Sequence, residues 1–242
     1  MAQTYGPKYP GIKDGLIYCF DPLNRDCWSG GNTIHNAKGL QNITGSFITD
    51  EDGDEWSGAI STEGYVTYDQ ANDYFNLEAT PTVISLLKLQ EFTLSTWVNM
   101  GSMVDKDAGM FTMQDLGSDN GYALVVNFQF RFYVNNSTNT LKTVQGDTDI
   151  YSSGTGWYNV VCVLKANGLS PNQYMWVNGV EQTDNDTVDS VGYSTDTYYP
   201  KIGAWATHEM DGKQTCTMIY NRALSDTEIT TNYNRLKGRF GL

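Results

Sequence analysis

Gly156-Trp157-Tyr158-Asn159-Val160-Val161-Cys162-Val163-Leu164, followed shortly by Gln173-Tyr174-Met175-Trp176-Val177-Asn178-Gly179-Val180, is the stretch whose reading decides the fold. In the first run Tyr158, Val160, Cys162 and Leu164 alternate with Asn159, Val161 and Val163, so both rows are apolar. Successive residues of a strand point to opposite faces, and a strand apolar on both is a central one covered on both sides. In the second run Tyr174 and Trp176 alternate with Met175 and Val177 and then meet Asn178-Gly179. An Asn-Gly pair between strand-like flanks predicts a tight hairpin, because both central residues of a type I′ turn need positive φ.

The same signature extends outward along the chain. Phe92, Leu94, Thr96 and Val98 alternate with Thr93, Ser95, Trp97 and Asn99, and the first, mostly apolar row predicts one buried face. Further strand-like runs cover 16–20, 43–48, 65–68, 74–77, 109–113, 122–126, 129–134, 140–144 and 215–220, bounded by Gly, Asn, Asp and Pro. Many short strands with little helix between them imply antiparallel sheets packed face to face. The chain has 242 residues, 40% apolar, 13% aromatic and only 18% charged, which suits strands and argues against both a helical bundle and disorder. Residues 1–242 show no internal repeat, low-complexity tract or linker and read as one domain.

One helix is well specified. Ser225-Asp226-Thr227-Glu228 is a capping box, and Leu224 with Ile229 is placed for a hydrophobic staple. Ile229, Tyr233 and Leu236 form one apolar stripe, and Gly238 is placed to close the helix. Of the four cysteines, Cys162 and Cys216 sit in strand-like runs, which predicts buried free thiols. There is no CxxC pair and only two histidines, His35 and His208, so a Cys/His zinc site has no support.

The net charge is −13. A field of that sign repels phosphates, which argues against nucleic-acid partners and against anionic membrane surfaces. Residues 1–200 carry nine bases and 24 acids, whereas residues 201–242 carry six bases and four acids. The C-terminal segment is therefore a candidate dock onto an acidic surface, either the protein's own body or a partner's. Compensation of the helix dipole by Arg235, Lys237 and Arg239 is the competing reading. No apolar run reaches the roughly 18 residues of a membrane span. The opening MAQTYGPKYPGIKDG lacks the apolar core of a signal peptide, which predicts a chain made in a cytoplasm.

At this point a resemblance enters. Phe92 to Val98, the Gly156 to Val161 and Tyr174 to Val180 runs, Ile202-Gly203-Ala204, Met210-Asp211-Gly212, and Ile219-Tyr220-Asn221-Arg222-Ala223-Leu224-Ser225-Asp226-Thr227-Glu228-Ile229 resemble laminin-G-like domains of the concanavalin A-like lectin/glucanase superfamily. Asp14-Gly15-Leu16-Ile17-Tyr18 and Asn72-Asp73-Tyr74-Phe75 match looser elements of it. The resemblance implies an all-β, antiparallel two-sheet jelly-roll sandwich with one short C-terminal helix. A narrower resemblance is to tailed-phage virion proteins carrying this domain. It rests on Gly11-Ile12-Lys13-Asp14-Gly15-Leu16 through Phe20-Asp21 at one end, and on Asn232-Tyr233-Asn234 through Arg239-Phe240-Gly241-Leu242 at the other.

The acidic stretch Asp50-Glu51-Asp52-Gly53-Asp54-Glu55 invites two functional readings. Paired carboxylates of a glycosidase are one. The family's glucanases carry an E-x-D-x-(x)-E strand, and Gly53 occupies the place of the central acid, so no catalytic residue is expected. The other is calcium, with Asp50, Asp52 and Asp54 sharing a face if extended; no cofactor is required beyond that. Asp147-Thr148-Asp149 and Asp184-Asn185-Asp186 are weaker candidates. Trp28, Trp56, Tyr198, Tyr199, Trp205 and His208 fall in expected loops, where rings stack on sugars, serve an interface or tuck into satellite cores. Trp97, Trp157 and Trp176 read as core.

The sequence thus leads to a non-enzymatic phage virion surface protein, a capsid decoration or a fibre or tail adhesin. Its expected partners are capsid or other virion proteins, surface glycans and further copies of itself. Arg235, Lys237, Arg239 and Phe240 are the expected docking residues. The alternatives are a free carbohydrate-binding lectin and, behind it, a glycoside hydrolase.

Overall fold

A computed structural model describes residues 11–24, 27, 33–36, 43–48, 64–69, 73–101, 108–114, 120–147, 149–150, 156–166, 168–193, 200–205 and 208–242. The strands are β1 (Leu16–Phe20), β2 (Thr33–His35), β3 (Thr44–Ile48), β4 (Val66–Asp69), β5 (Tyr74–Leu77), β6 (Phe92–Met100), β7 (Ala108–Gln114), β8 (Gly121–Asn127), β9 (Gln129–Asn135), β10 (Leu141–Gln145), β11 (Trp157–Leu164), β12 (Gln173–Val177), β13 (Val180–Glu181), β14 (Lys201–Ile202), β15 (Ala204–Trp205), β16 (His208–Glu209) and β17 (Asp211–Tyr220). Helix α1 (Pro81–Leu87) precedes β6, and α2 (Asp226–Leu236) with a 3-10 turn (Lys237–Phe240) ends the chain.

Seven strands form one sheet, in the order β1-β17-β6-β11-β12-β13 with β4 beside β17. Eight form the other, in the order β10-β9-β8-β7-β14-β5-β3-β2, and β15 pairs with β16 as a separate hairpin. The pairings among the described strands are antiparallel. This is the two-layer jelly roll expected from the alternation. The Asn178-Gly179 turn is as expected: φ is +51° and +76° at the two residues, and it joins β12 to β13.

The layers meet through large side chains. Phe92 of β6 stacks near Tyr122 of β8 (4.2 Å between centroids) and edge-on to Phe132 of β9 (5.8 Å). Phe20 meets Phe75, and Phe130 meets Tyr158. Two buried glutamines tie the sheets with directional bonds. Gln214 Nε2 donates to Met110 O (3.0 Å), and Gln173 Nε2 donates to Phe132 O (2.7 Å). Each satisfies a polar group that would otherwise cost about 1–3 kcal/mol in this interior.

The Phe92, Leu94, Thr96 and Val98 face of β6 is buried as expected, and the other face is buried as well from Thr93 to Trp97. The second face is covered by the C-terminal segment. Trp97 is fully buried and stacks with Tyr233 (5.8 Å) and Phe240 (4.1 Å). Trp176 is core as expected, but Trp157 is only half-buried, lying against Tyr65 and Phe240 at the margin of that cover.

Helix α2 starts as its sequence dictates. Ser225 Oγ accepts from Glu228 N, and Glu228 Oε2 accepts from Ser225 N. Its C-terminal end differs: the chain continues into the 3-10 turn and closes at Gly241 (φ +76°), with Gly238 inside that turn. Asn232 is buried between two distant parts of the chain. Its Oδ1 accepts from Ile12 N (2.8 Å), and its Nδ2 donates to Tyr220 OH (3.1 Å). Helix α1 was not expected; Thr80 caps it by accepting from Val83 N, and Pro81 opens it. All four cysteines are free and buried. Among the described residues no helix is long and apolar enough to cross a membrane.

Arg222 pairs with Glu228 (2.7 Å) and with Asp14 (2.9 Å), joining the start of α2 to the turn before β1. The hydrogen bond from Arg222 holds the Glu228 carboxyl at about 2, below its ordinary 4.5. A carboxyl whose pKa falls on folding stabilises above its unfolded value and loses that stabilisation as pH drops through the folded one. Compared by urea unfolding, Arg222→Gln should be less stable than wild type above pH 4.5, and the gap should close between 4.5 and about 2. A gap independent of pH would show that the pair does not act in this way.

Candidate binding face

On the eight-stranded sheet, Tyr122, Leu124, Val126, Phe130, Phe132 and Val134 fill the core. The alternate residues Ala123, Val125 and Tyr133 face outward and form a separate apolar cluster with Trp205. The β15–β16 hairpin lies over β7 to bring Trp205 there. Thr112 Oγ1 donates to Ala204 O (2.7 Å). Gly109 is what lets the backbones approach, since a Cβ there would sit 2.1 Å from the Ala204 carbonyl carbon.

The Trp205 ring is fixed on three sides. Its Nε1 donates to Gln114 Oε1 (2.5 Å), Tyr133 lies 5.6 Å away, and His208 lies 6.0 Å away across the hairpin. Arg131 donates through Nη1 to the Tyr133 hydroxyl (3.3 Å). Trp205, His208 and Arg131 are each half-buried. His208 Nδ1 is shielded and has no hydrogen-bond partner among the described residues. Ala123, Val125 and Tyr133 are buried, so what the face presents is the half-buried Trp205 ring, with the half-buried His208 and Arg131 at its margin. Close by, Lys201 lies over the Tyr74 ring (4.3 Å); burial lowers its pKa, and Glu209 opposes that.

Of the loop aromatics singled out in the sequence, Trp205 and His208 are thus brought together. Trp28, Trp56, Tyr198 and Tyr199 lie outside the described residues, as do Asp50, Asp52 and Asp54. The two weaker acidic segments meet, but their carboxylates bind protein groups. Asp147 accepts from Thr183 N (2.9 Å) and Thr183 Oγ1 (2.7 Å), Asp184 accepts from Gln145 N (2.8 Å), and Asp186 pairs with Lys142 (3.5 Å). Among the described residues no three His, Cys, Asp or Glu side chains converge to hold a metal.

Arg239 and Phe240, expected as part of a dock, are bound to the protein's own body. Arg239 pairs with Asp21 through Nη1 (3.0 Å) and donates through Nη2 to Gly64 O (2.6 Å). Phe240 lies on Trp97 and Trp157. Arg235 stays exposed, and Lys237 is half-buried with Nζ 5.4 Å from the Tyr233 ring centre. Gln114, Arg131 and Tyr133 were missed, although a charged residue inside the apolar run of β9 could have signalled an outer face.

The two packed antiparallel sheets closed by one capped helix are the frame of a concanavalin A-like jelly roll. A family model described as Concanavalin A-like lectin/glucanases superfamily (Laminin_G_3) matches residues 69–230. The chain belongs to that superfamily. No curated protein matches it. Similar solved structures include the binding domain of botulinum neurotoxin DC in complex with SialylT (13% identity, TM-score 0.66) and with rat synaptotagmin II (12%, 0.65). A structure described under cell entry of botulinum neurotoxin type C, dependent upon interaction with two ganglioside molecules, is similar at 12% identity and TM-score 0.65. The matches cover 92% of this chain but only 52%, 52% and 51% of those chains, so this chain spans about half their length.

Phe240→Ala removes the ring that covers Trp97 and Trp157. It should lower the unfolding free energy in urea by about 2–3 kcal/mol, somewhat less than for a fully buried Phe. An unchanged urea midpoint would contradict a structural role for the segment.

Proposed function

We propose that this chain is a non-enzymatic attachment module that contacts glycans through the Trp205 face and is carried on the surface of a phage virion, having been made in the host cytoplasm. The observation that carries the glycan part is the half-buried Trp205 ring, clamped by Gln114 and Tyr133. A ring whose orientation is fixed before binding loses little entropy when a sugar stacks on it. The superfamily and the glycan named with one of the similar toxin domains support this reading. A glucanase role has less support, since Gly53 replaces the central acid of the family's catalytic strand.

The virion part rests on the likeness at both ends of the chain, whose halves touch where Asn232 binds Ile12. Arg235 and Lys237 are then the residues to meet an acidic capsid or tail surface, since Arg239 and Phe240 hold the fold. Calcium, if it takes part, would be held by Asp50, Asp52 and Asp54.

A glycan array probed with and without calcium tests the module. Binding should fall at least about tenfold in Trp205→Ala, a loss of about 1.4 kcal/mol, with the circular dichroism spectrum unchanged. Equal binding by the variant would remove the Trp205 face from the proposal. Charge reversal at Arg235 and Lys237 should reduce incorporation into particles. Full glycan binding with no particle incorporation by wild type would favour a free lectin.

A further inference from the structure

We propose that Cys19 and Cys27 form a redox-sensitive pair that closes as a disulfide at the edge where the two sheets end side by side. It needs neither the glycan reading nor the virion reading above.

The pair sits where the layers are tied together. β1 is the end strand of one sheet and β2 the end strand of the other. Asn36, directly after β2, bridges them: its Oδ1 accepts from Cys19 N (2.8 Å) and its Nδ2 donates to Ile17 O (2.7 Å). Cys27 lies on the connection from β1 to β2 and is held from both sides. Its N donates to Asn24 O (2.8 Å), and its O accepts from His35 N (2.8 Å). From that position its thiol donates to Cys19 O (3.3 Å). A sulfur in contact with the partner's own carbonyl oxygen lies close to the partner's side chain, the range in which a disulfide joins Cα atoms roughly 4.4–6.8 Å apart.

Two further observations select this pair among the four thiols. Burial is the main cause that pushes the Cys19 thiol up, and the neighbouring Cys27 thiol is the next. The other sulfurs are engaged or distant: Cys216 Sγ accepts from Arg239 Nη1 (3.2 Å) and Thr215 Oγ1 (3.7 Å), and Cys162 sits in β11, three strands from β1.

The bond needs an oxidant, and a small disulfide such as oxidised glutathione supplies it. One protein thiolate attacks it, forms a mixed disulfide and releases one glutathione thiolate. The second protein thiolate attacks the protein sulfur of that mixed disulfide and releases the other. Two thiols and one oxidised glutathione thus become one protein disulfide and two reduced glutathiones. Both thiols are fully buried, so exchange proceeds when the connection between β1 and β2 opens locally. The loop so closed contains Asp21, the partner of Arg239, and the bond therefore also steadies the anchor of the C-terminal cover. Oxidising surroundings lock this edge, and reduced glutathione leaves it unlinked.

The test treats the purified full chain with oxidised glutathione and digests it with trypsin without reduction. Cleavage after Lys13, Arg25 and Lys38 puts Cys19 on peptide 14–25 and Cys27 on peptide 26–38. The expected product is these two peptides joined, with two of the four thiols lost from the intact chain. In urea the oxidised chain should show a folding constant at least about tenfold larger than the reduced one, reversed by dithiothreitol. Cys27→Ser keeps a donor for Cys19 O and should form no link under the same treatment. Retention of all four thiols, a link from Cys19 to Cys216 or Cys162, glutathione adducts alone, or an oxidised chain no more stable than the reduced one would each overturn the proposal.

Discussion

The structure depends on burying both faces of β6. A strand at the centre of one layer of a sandwich gets one face covered by the other layer at no extra cost. Its second face, carrying Thr93, Ser95 and Trp97, would meet water unless something lay over it. Helix α2 and the 3-10 turn provide that cover, with Trp97 stacked under Tyr233 and Phe240. Thr93 Oγ1 joins strand to helix entry, donating to Arg222 O (3.0 Å) and accepting from Leu224 N (2.9 Å). Arg239 then anchors the end of the chain to Asp21 and Gly64. The positive C-terminal segment and the acidic body are thus partly complementary within one molecule.

On the eight-stranded sheet the outward-facing Ala123, Val125 and Tyr133 are themselves buried, and the accessible groups beside them are the half-buried Trp205, His208 and Arg131. The core side of the sheet is filled by aromatic rings, so its strands cannot shift without breaking close packing. The β15–β16 hairpin sits on this stiff floor, with Gly109 allowing the approach and Gln114 setting the indole.

Features with local causes were legible in the sequence. Asn178-Gly179 makes its turn because its own φ values require it, and Ser225 with Glu228 caps α2 because the two reach each other within one helical turn. The resemblance pointed to sequence blocks that prove to be neighbours: Asp14 pairs with Arg222, and Ile12 with Asn232. Features caused by distant parts were not legible. Alternation in β6 cannot say that a helix more than a hundred residues later covers the second face. The charges of Arg239 and Lys237 look alike in sequence, yet one is held in an ion pair and the other lies beside a ring. The β15–β16 hairpin was missed because strands of two residues are too short to show a period.

The central claim is that this frame holds a sugar without breaking it. The most direct measurement incubates the purified chain with a glycan it retains and counts new reducing ends over time. The account predicts retention with no reducing ends above those of a protein-free control. A steady accumulation of new ends would contradict it.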